Sequence, residues 1–432
     1  MSVKNLTEWL DYISLVHPSE MEFGLERIRS VFESLSISNS AKKCIVVGGT
    51  NGKGSTVSLI ERGLNDLGYT VGSYTSPHIQ AYNERVKINQ KLVSDQQLVD
   101  AFERIELYRS NVPLTYFEYG TLAALDILFA ANLDVIILEV GLGGRLDAVN
   151  IIDADISVIT SIAIDHVDWL GSDVQKIGIE KAGILRESRT FVAGRDLPKS
   201  VLDIAGSLNC NVKQCGKEFG CSQGANESIS DFWIQFRGDE VSSTQFPSIT
   251  IPDNNILIAL QVIAEVNAGF STAHQARFPF EKLKKSFENI NIPGRLEKIP
   301  HRHSVYLDVC HNPHAAEYLN SFLSPFVKQG CSILAVYSSM VDKDVTSIAS
   351  LMSASIDTWY LAPLSIQRAS SLSQLKTAVG EHCDSMLSFS SVRDAISRAL
   401  SECDKRATGS TVVIIFGSFF MVEAAKHYFE GL

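Results

Sequence analysis

Short apolar runs that stop at polar residues or glycine recur along the chain. They are CIVVGG (44–49), LDVIILEVG (133–141), ISVITSI (156–162), VYLDV (305–309), ILAVYSS (333–339), WYLAPL (359–364) and VVIIFGS (412–418). None alternates strictly between apolar and polar, so they predict strands covered on both faces. Helical spacing lies between them: STVSLIERGLNDLG follows the first run, TLAALDILFAANL precedes the second, and AAEYLNSFLSPFV follows VYLDV. Alternation of this kind predicts α/β layers around mostly parallel sheets. The spacing of the runs predicts a first domain over 1–287 and a smaller one over 294–432, joined at the Pro-Gly punctuation of NINIPGRLE (289–297). Residues 210–250 are polar and poor in helical signal, and read as irregular chain or short antiparallel strands.

Composition narrows the function. A chain 45% hydrophobic and 20% charged has core enough for ordinary globular domains. A formal net charge of -11 argues against a nucleic-acid coat or a binder of acidic membranes. The eight cysteines form no C-x-x-C pair and no zinc spacing, which suits a reducing, cytoplasmic setting. The opening MSVKNLTEWLDYISLV carries Glu8 and Asp11 and reads as an amphipathic helix, not a signal peptide. No apolar run approaches the length of a membrane span.

The strongest chemical signal is GGTNGKGS, Gly48 to Ser55. A strand, a glycine-rich turn with a lysine and a following helix are the parts of a phosphate-binding loop. The usual spelling, G-x-x-x-x-G-K-S/T, puts a hydroxyl directly after the lysine; here Gly54 intervenes and Ser55 comes one place late. The expected fold is a P-loop-type, mostly parallel sheet domain followed by a smaller Rossmann-like α/β domain.

Ligands in open α/β sheets bind beyond the carboxyl ends of the strands. The polar residues there are the loop itself, Glu139, Ser161 with Asp165 and His166, Asp308 with His311, and Gly417-Ser418. Glu139 ends an apolar strand, where a carboxylate suits a Mg²⁺ ligand or an acceptor of loop amides. Lys181, in IGIEKAGIL, reads most simply as a partner of Glu180 or Glu187. Asn312 with Pro313 reads as a helix start, which leaves Asp308 and His311 unexplained.

In order along the chain stand GTNGKGS, TSPH, ERV, LTYFEYGT, LEVGLGGRLDAVN, TSIAIDHVDWLG, IGIEKAGI, PGRLE, LDVCHNPHA and GSF. This ordered set resembles the folylpolyglutamate synthase branch of the Mur ligase family over about residues 4–425, most closely its bifunctional members. The resemblance implies ATP-dependent ligation of L-glutamate to dihydropteroate and to reduced folates, through an acyl phosphate. It implies that Thr50, Asn51, Gly52 and Lys53 hold the ATP phosphates, and that Asn254, Arg295 and Asp308 contact ATP. Ser76, Glu139 and His166 would hold Mg²⁺. Lys181 would be carbamylated and help hold a second Mg²⁺, with a monovalent cation such as K⁺ a further expectation. Glu22, Gly24 and Leu25, Thr115, Tyr116, Phe117 and Glu118, and Leu146, Asp147 and Ala148 would form the pteroate pocket. His311 and Ser418 would lie near the incoming glutamate, with Lys53, Lys181 and His311 as the catalytic set. A monomer is implied.

Two positions depart from the family pattern: Ser338 stands where glycine is expected, and Cys310 where alanine is usual. The nearest alternatives are a monofunctional folylpolyglutamate synthase or dihydrofolate synthase, and another amino-acid ligase of the Mur family. A guanine-reading N-K-x-D run, which a nucleotide switch would carry, is absent from the sequence.

Overall fold

The computed structural model describes residues 4–19, 22–223, 229–236, 241–247, 249–270, 278–406 and 409–431. The chain divides into two compact units, Met1–Ile290 and Asn291–Leu432.

The first unit holds strands β1 (Lys43–Gly48), β2 (Val71–Tyr74), β3 (Val86–Ile88), β4 (Lys91–Leu92), β5 (Val135–Glu139), β6 (Ile156–Ile159), β7 (Thr190–Ala193) and β8 (Asn211–Gln214). They form one sheet in the order β4-β3-β2-β5-β1-β6-β7-β8. β2, β5, β1, β6, β7 and β8 run parallel, and β3 and β4 are antiparallel additions at one edge. The apolar runs of the sequence form its buried centre: every residue of β5 and β6 is buried. Removing a side chain such as Ile137 from water contributes roughly 1.5–3 kcal/mol, which is why the centre tolerates so few polar groups. The short β2 lacks an apolar run because Gly72 must pass beneath neighbours. A Cβ there would stand 2.5 Å from Leu133 and 2.6 Å from Leu128.

The flanking helices begin where their caps direct. Asn5 caps Leu6–Val16, and Glu8 reaches back to the Asn5 amide. The helix expected over TLAALD starts earlier, at Tyr116, because Thr115 and Glu118 form a reciprocal capping box. Between 210 and 250 the expectation holds in part. β8 continues the parallel sheet, whereas β9 (Gly220–Gln223), β10 (Ile229–Gln235) and β11 (Val241–Pro247) form a small antiparallel sheet. Residues 224–228, 237–240 and 248 of that region lie outside the described residues.

The second unit carries β12 (Glu297–Ile299), β13 (Ser304–Asp308), β14 (Ser332–Tyr337), β15 (Thr358–Leu361), β16 (Met386–Ser388) and β17 (Thr411–Phe416) in the order β12-β13-β17-β14-β15-β16. All pairs but β12–β13 are parallel. Asn312 caps the helix Pro313–Lys328 through the Ala315 amide (2.9 Å), with Pro313 in its first turn, as the sequence suggests.

Candidate active site

Strand register brings the loop and Glu139 together. β1 lies between β5 and β6, with Val47 opposite Glu139 and Gly48 opposite Ile159. The loop after β1 therefore emerges among three carboxyl ends. Gly49 (φ 143°) and Gly52 (φ 82°) give it a backbone that side chains oppose. A Cβ on Gly49 would lie 2.0 Å from Thr160 Oγ1, and one on Gly52 2.2 Å from Asn255 Nδ2. Neighbours then pin the turn. The Thr50 amide donates to the Ser161 carbonyl (2.7 Å), Thr160 Oγ1 to the Asn51 carbonyl (2.7 Å), and Asn255 Nδ2 to the Gly52 carbonyl (2.9 Å) and to Thr56 Oγ1 (2.8 Å). Gly52 caps the helix Lys53–Asp66, so its N-terminal amides follow directly on the loop.

The late hydroxyl has a structural counterpart. A Cβ on Gly54 would stand 3.5 Å from Glu139 Oε2. The place where the usual loop carries a hydroxyl thus faces a carboxylate. Glu139 is 4% exposed and accepts the Ser76 amide at 3.1 Å. His166 has a left-handed backbone (φ 53°), caps the short helix Val167–Leu170, and donates its amide to Asp165 Oδ1 (2.8 Å). Asn254 donates to the Thr160 carbonyl (2.9 Å) and accepts the Arg195 amide (3.0 Å), beside the strand end that pins the loop.

Two lysines converge on one carbonyl. Lys53 Nζ folds back to the Gly49 and Thr50 carbonyls, each at 3.2 Å. Lys181 Nζ, 4% exposed, donates to the Gly49 carbonyl at 2.9 Å. Burial, and then the neighbouring Lys53, bring the Lys181 amine down to about 7. The simple pairing expected of Lys181 is not made: Glu180 pairs with Arg145 (2.9 Å), and Glu187 is exposed. Close packing holds Lys181 in place. A Cβ on Gly144 would be 3.0 Å from the Lys181 Cα, and one on Gly183 would be 2.5 Å from the Arg145 Cα.

The residues expected around the pteroate form a connected group. Glu118 accepts from Arg27 (3.2 Å), whose other arm pairs with Glu22, and Glu22 also meets His17 (3.1 Å). Arg27 thus ties the 22–25 segment to the start of the helix Tyr116–Ala130. Phe117 stacks on Tyr74 (6.1 Å between centroids) and fills the space beside Gly141. Asp147 caps Ala148–Ile151, accepting the Leu142 (2.9 Å) and Val149 (3.0 Å) amides. Burial nevertheless pushes its carboxyl up to about 6.

In the second unit, β13 and β17 end side by side, with Asp308 opposite Phe416. Asp308 accepts the Leu296 and Cys310 amides, each at 2.8 Å, and burial pushes its carboxyl up against the opposing pull of Arg295. The Arg295 guanidinium lies over the Phe419 ring (5.4 Å), and His311 packs on the same ring while its Nδ1 donates to the Val309 carbonyl (2.8 Å). Ser418 caps the helix Phe419–Glu430 through the Met421 amide (3.1 Å). The two departures behave differently. Cys310 is buried and accommodated, while the Ser338 hydroxyl is buried without a hydrogen-bond partner among the described residues. The Ser338 carbonyl would stand 1.7 Å from a Cβ on Gly417.

Thr160, Asn255 and Arg27 escape a reading of the sequence alone. Their signals, the polar step in ISVITSI, the paired asparagines of PDNN and the arginine after EFGL, are too short to stand out.

A glycine loop at a helix N-terminus, two lysines on its carbonyl and a buried carboxylate beside it define a nucleotide-phosphate-binding α/β protein. Residues 47–269 match the Mur ligase middle domain, and residues 294–419 the Mur ligase glutamate ligase domain. The dihydrofolate synthase/folylpolyglutamate synthase of Escherichia coli (strain K12) is 37% identical over 418 residues, covering 96% of this chain and 94% of that protein. The structure of E. coli FolC in complex with DHPP and ADP superposes with a TM-score of 0.89 at 34% identity, covering 99% of this chain and 98% of the other. A bifunctional folylpolyglutamate synthase/dihydrofolate synthase with Mn, AMPPNP and L-glutamate bound gives 0.86 at 37% identity, with the same coverage. The chain belongs to the Mur ligase family, among its dihydrofolate synthase/folylpolyglutamate synthases.

Proposed function

We infer that this protein joins L-glutamate to dihydropteroate and to reduced folylpolyglutamates while converting ATP to ADP and phosphate. The observation that carries the reading is the convergence of Lys53 and Lys181 on the Gly49 carbonyl, in a loop that emerges beside the buried Glu139. Kinship with enzymes of that double name over nearly the whole chain supports it.

The chemistry follows from charge. A carboxylate is a poor acylating group. Its oxygen attacks the γ-phosphorus of ATP, ADP leaves, and an acyl phosphate remains. The glutamate amine then attacks the acyl carbon, and phosphate departs with the acceptor's oxygen, leaving an amide. The loop from Thr50 to Lys53, with the amides that open the following helix, cradles the phosphates, and the Lys53 ammonium offsets charge that grows on the transferring group. Asn254, Arg295 and Asp308 belong with ATP in this reading, and His311 and Ser418 with glutamate. Glu22, Gly24 and Leu25, Thr115 to Glu118, and Leu146 to Ala148 belong with the pteroate.

A divalent metal fits the donors present. Glu139 is a buried carboxylate with Ser76 beside it, and such a group needs a cation nearby. Ser76, Glu139 and His166 would hold the ion, which when bound neutralises phosphoryl charge. Lys181 as a carbamate would add a second carboxylate, and an amine brought down to about 7 supplies the neutral form that takes up CO₂.

The resemblance carries a cytoplasmic monomer with it; light scattering of the purified protein tests the oligomeric state. ADP release with L-glutamate plus dihydropteroate, tetrahydrofolate or a UDP-muramoyl precursor tests the activity. Release is expected with the first two and not the third. Release with only one folate substrate would reduce the protein to a monofunctional synthase.

A further inference from the structure

A second cluster of reactive side chains stands on the first unit, outside the residues assigned to ATP, glutamate and the acceptor. β7 ends at Ala193, and the chain continues through Gly194 to Arg195. The Arg195 guanidinium donates to Cys221 Sγ at 3.3 Å and also hydrogen-bonds the Cys215 sulfur. The two thiols therefore share one cation, although Cys215 follows β8 and Cys221 lies in β9. A tight reversal brings them there: Cys215 bridges Phe219, and the Gly216 amide donates to the Phe219 carbonyl at 2.7 Å. Cys215 is 7% exposed, whereas Cys221 is only half-buried, beside the exposed Arg195. No step of the ligation uses either sulfur. Hydrogen bonds run from this cluster to the phosphate loop. The Cys215 amide donates to the Ala193 carbonyl (2.9 Å), and the Arg195 amide to Asn254 Oδ1 (3.0 Å). Asn254 in turn holds the Thr160 carbonyl, and Thr160 Oγ1 holds the Asn51 carbonyl. The segment between has no slack, since a Cβ on Gly194 would stand 2.0 Å from the Thr160 carbonyl oxygen.

We propose that Cys215 and Cys221 form a reversible thiol modification site, joined as a disulfide by peroxide, and that the bond weakens ATP binding through Arg195 and Asn254. The effect on ATP rests on the ligase reading above. Cys221 is the more accessible sulfur and reacts first. Its thiolate attacks one peroxide oxygen, the O–O bond breaks, and a sulfenic acid forms while the departing hydroxide takes a proton and leaves as water. Burial raises the Cys215 thiol against the opposing pull of Arg195, which suits it to the second step. Its sulfur attacks the sulfenic sulfur, the S–S bond forms, and a second water leaves. Two thiols thus lose two electrons and two protons, and one peroxide becomes two waters. Closing the bond draws both sulfurs off the guanidinium and pulls on the Ala193–Arg195 segment that Cys215 holds. A disulfide that an oxidant makes and a small thiol breaks suits cysteines that are otherwise kept reduced.

The test uses the full chain, with hydrogen peroxide as the probe. Trypsin cuts after Lys213, Lys217 and Arg237, so the bond would join peptides 214–217 and 218–237 with the loss of two hydrogens. Mass spectrometry should find that linked pair in the oxidised wild type and not after dithiothreitol. In Cys215→Ser, Cys221 should instead carry a sulfenic acid that dimedone traps. Titration calorimetry with a non-hydrolysable ATP analogue should give a Kd at least about fivefold weaker after oxidation, the lower end of couplings between sites. Dithiothreitol should restore it, and Cys221→Ser should bind with the affinity of reduced wild type before and after peroxide. Peroxide that oxidises the partly exposed Cys331 and Cys383 while leaving the two peptides unlinked would overturn the modification site. A linked pair with an unchanged Kd would overturn its effect on ATP. A reduced wild type that binds no analogue would overturn the nucleotide reading, and the peptide map would still decide the thiol chemistry.

Discussion

Lys181 Nζ donates to the Gly49 carbonyl at 2.9 Å, across 132 residues of sequence. This contact sets a buried amine against the turn that would hold phosphate, with Lys53 on the same carbonyl. Two cations so close oppose each other, and the buried one yields its proton the more readily.

Carbamylation of Lys181 is therefore expected to follow pH. Because the amine is lowered to about 7, its neutral fraction grows as pH rises through that value. Incubation with ¹³C-bicarbonate should give a carbamate carbon resonance that strengthens from pH 6 to pH 8 and is missing in Lys181→Ala. That variant should be nearly inactive and partly rescued by acetate. Full activity in Lys181→Ala would return the residue to a structural role.

Lys53→Ala should lower the rate of ADP release by about 10²–10³-fold or more, the scale seen when a group that stabilises transition-state charge is lost. Its circular dichroism and melting temperature should stay close to wild type, since Lys53 Nζ folds back on the Gly49 and Thr50 carbonyls of its own loop. Near-normal turnover would remove the loop from the mechanism.

Asn255 offers a different kind of check. Its amide clamps Gly52 and Thr56 from within the core and is 4% exposed. Asn255→Ala is expected to cost about 1–3 kcal/mol of stability through buried groups left unmet, and to raise the KM for ATP more than it lowers kcat. Denaturant unfolding together with ATP-saturation kinetics measures both. A variant of wild-type stability and KM would show that the loop holds its shape alone.

Glu106 predicts an acid-sensitive joint. It accepts from Tyr12 (2.8 Å), from two nitrogens of Arg109 (2.8 Å each) and from Tyr119, so it fastens the helices Leu6–Val16, Asp95–Tyr108 and Tyr116–Ala130 together. Burial raises its pKa, but the hydrogen bonds from Arg109, Tyr119 and Tyr12 outweigh it and bring the carboxyl down to about 2. A depressed carboxylate contributes stability that is present above its unfolded value, roughly 4.3, and is lost as pH falls through the folded one. Glu106→Gln should thus be less stable than wild type at pH 7, and the two should converge as the pH approaches 2. A stability difference that does not change between pH 5 and pH 2 would contradict this.

The sequence speaks most clearly where one local rule governs. β5 and β6 fall within runs that are apolar because both faces are covered, and β1, β13, β14, β15 and β17 each begin one residue before such a run. The glycine loop is legible because left-handed turns admit few other residues. β2 is hidden because Gly72 answers to Leu128 and Leu133, which lie 56 and 61 residues further along the chain. Lys181 looks like a surface partner of Glu180 until the fold gives that carboxylate to Arg145. Thr160, Asn255 and Arg27 act through long-range hydrogen bonds, and no periodicity announces such contacts.

The central claim is that ATP activates the acceptor's carboxylate for attack by glutamate. Dihydropteroate labelled with ¹⁸O in its carboxylate, turned over with ATP and L-glutamate, tests it most directly. An acyl phosphate predicts one labelled oxygen in the inorganic phosphate, the other retained in the new amide, and ADP unlabelled. Phosphate free of label, or label carried on AMP, would contradict the account.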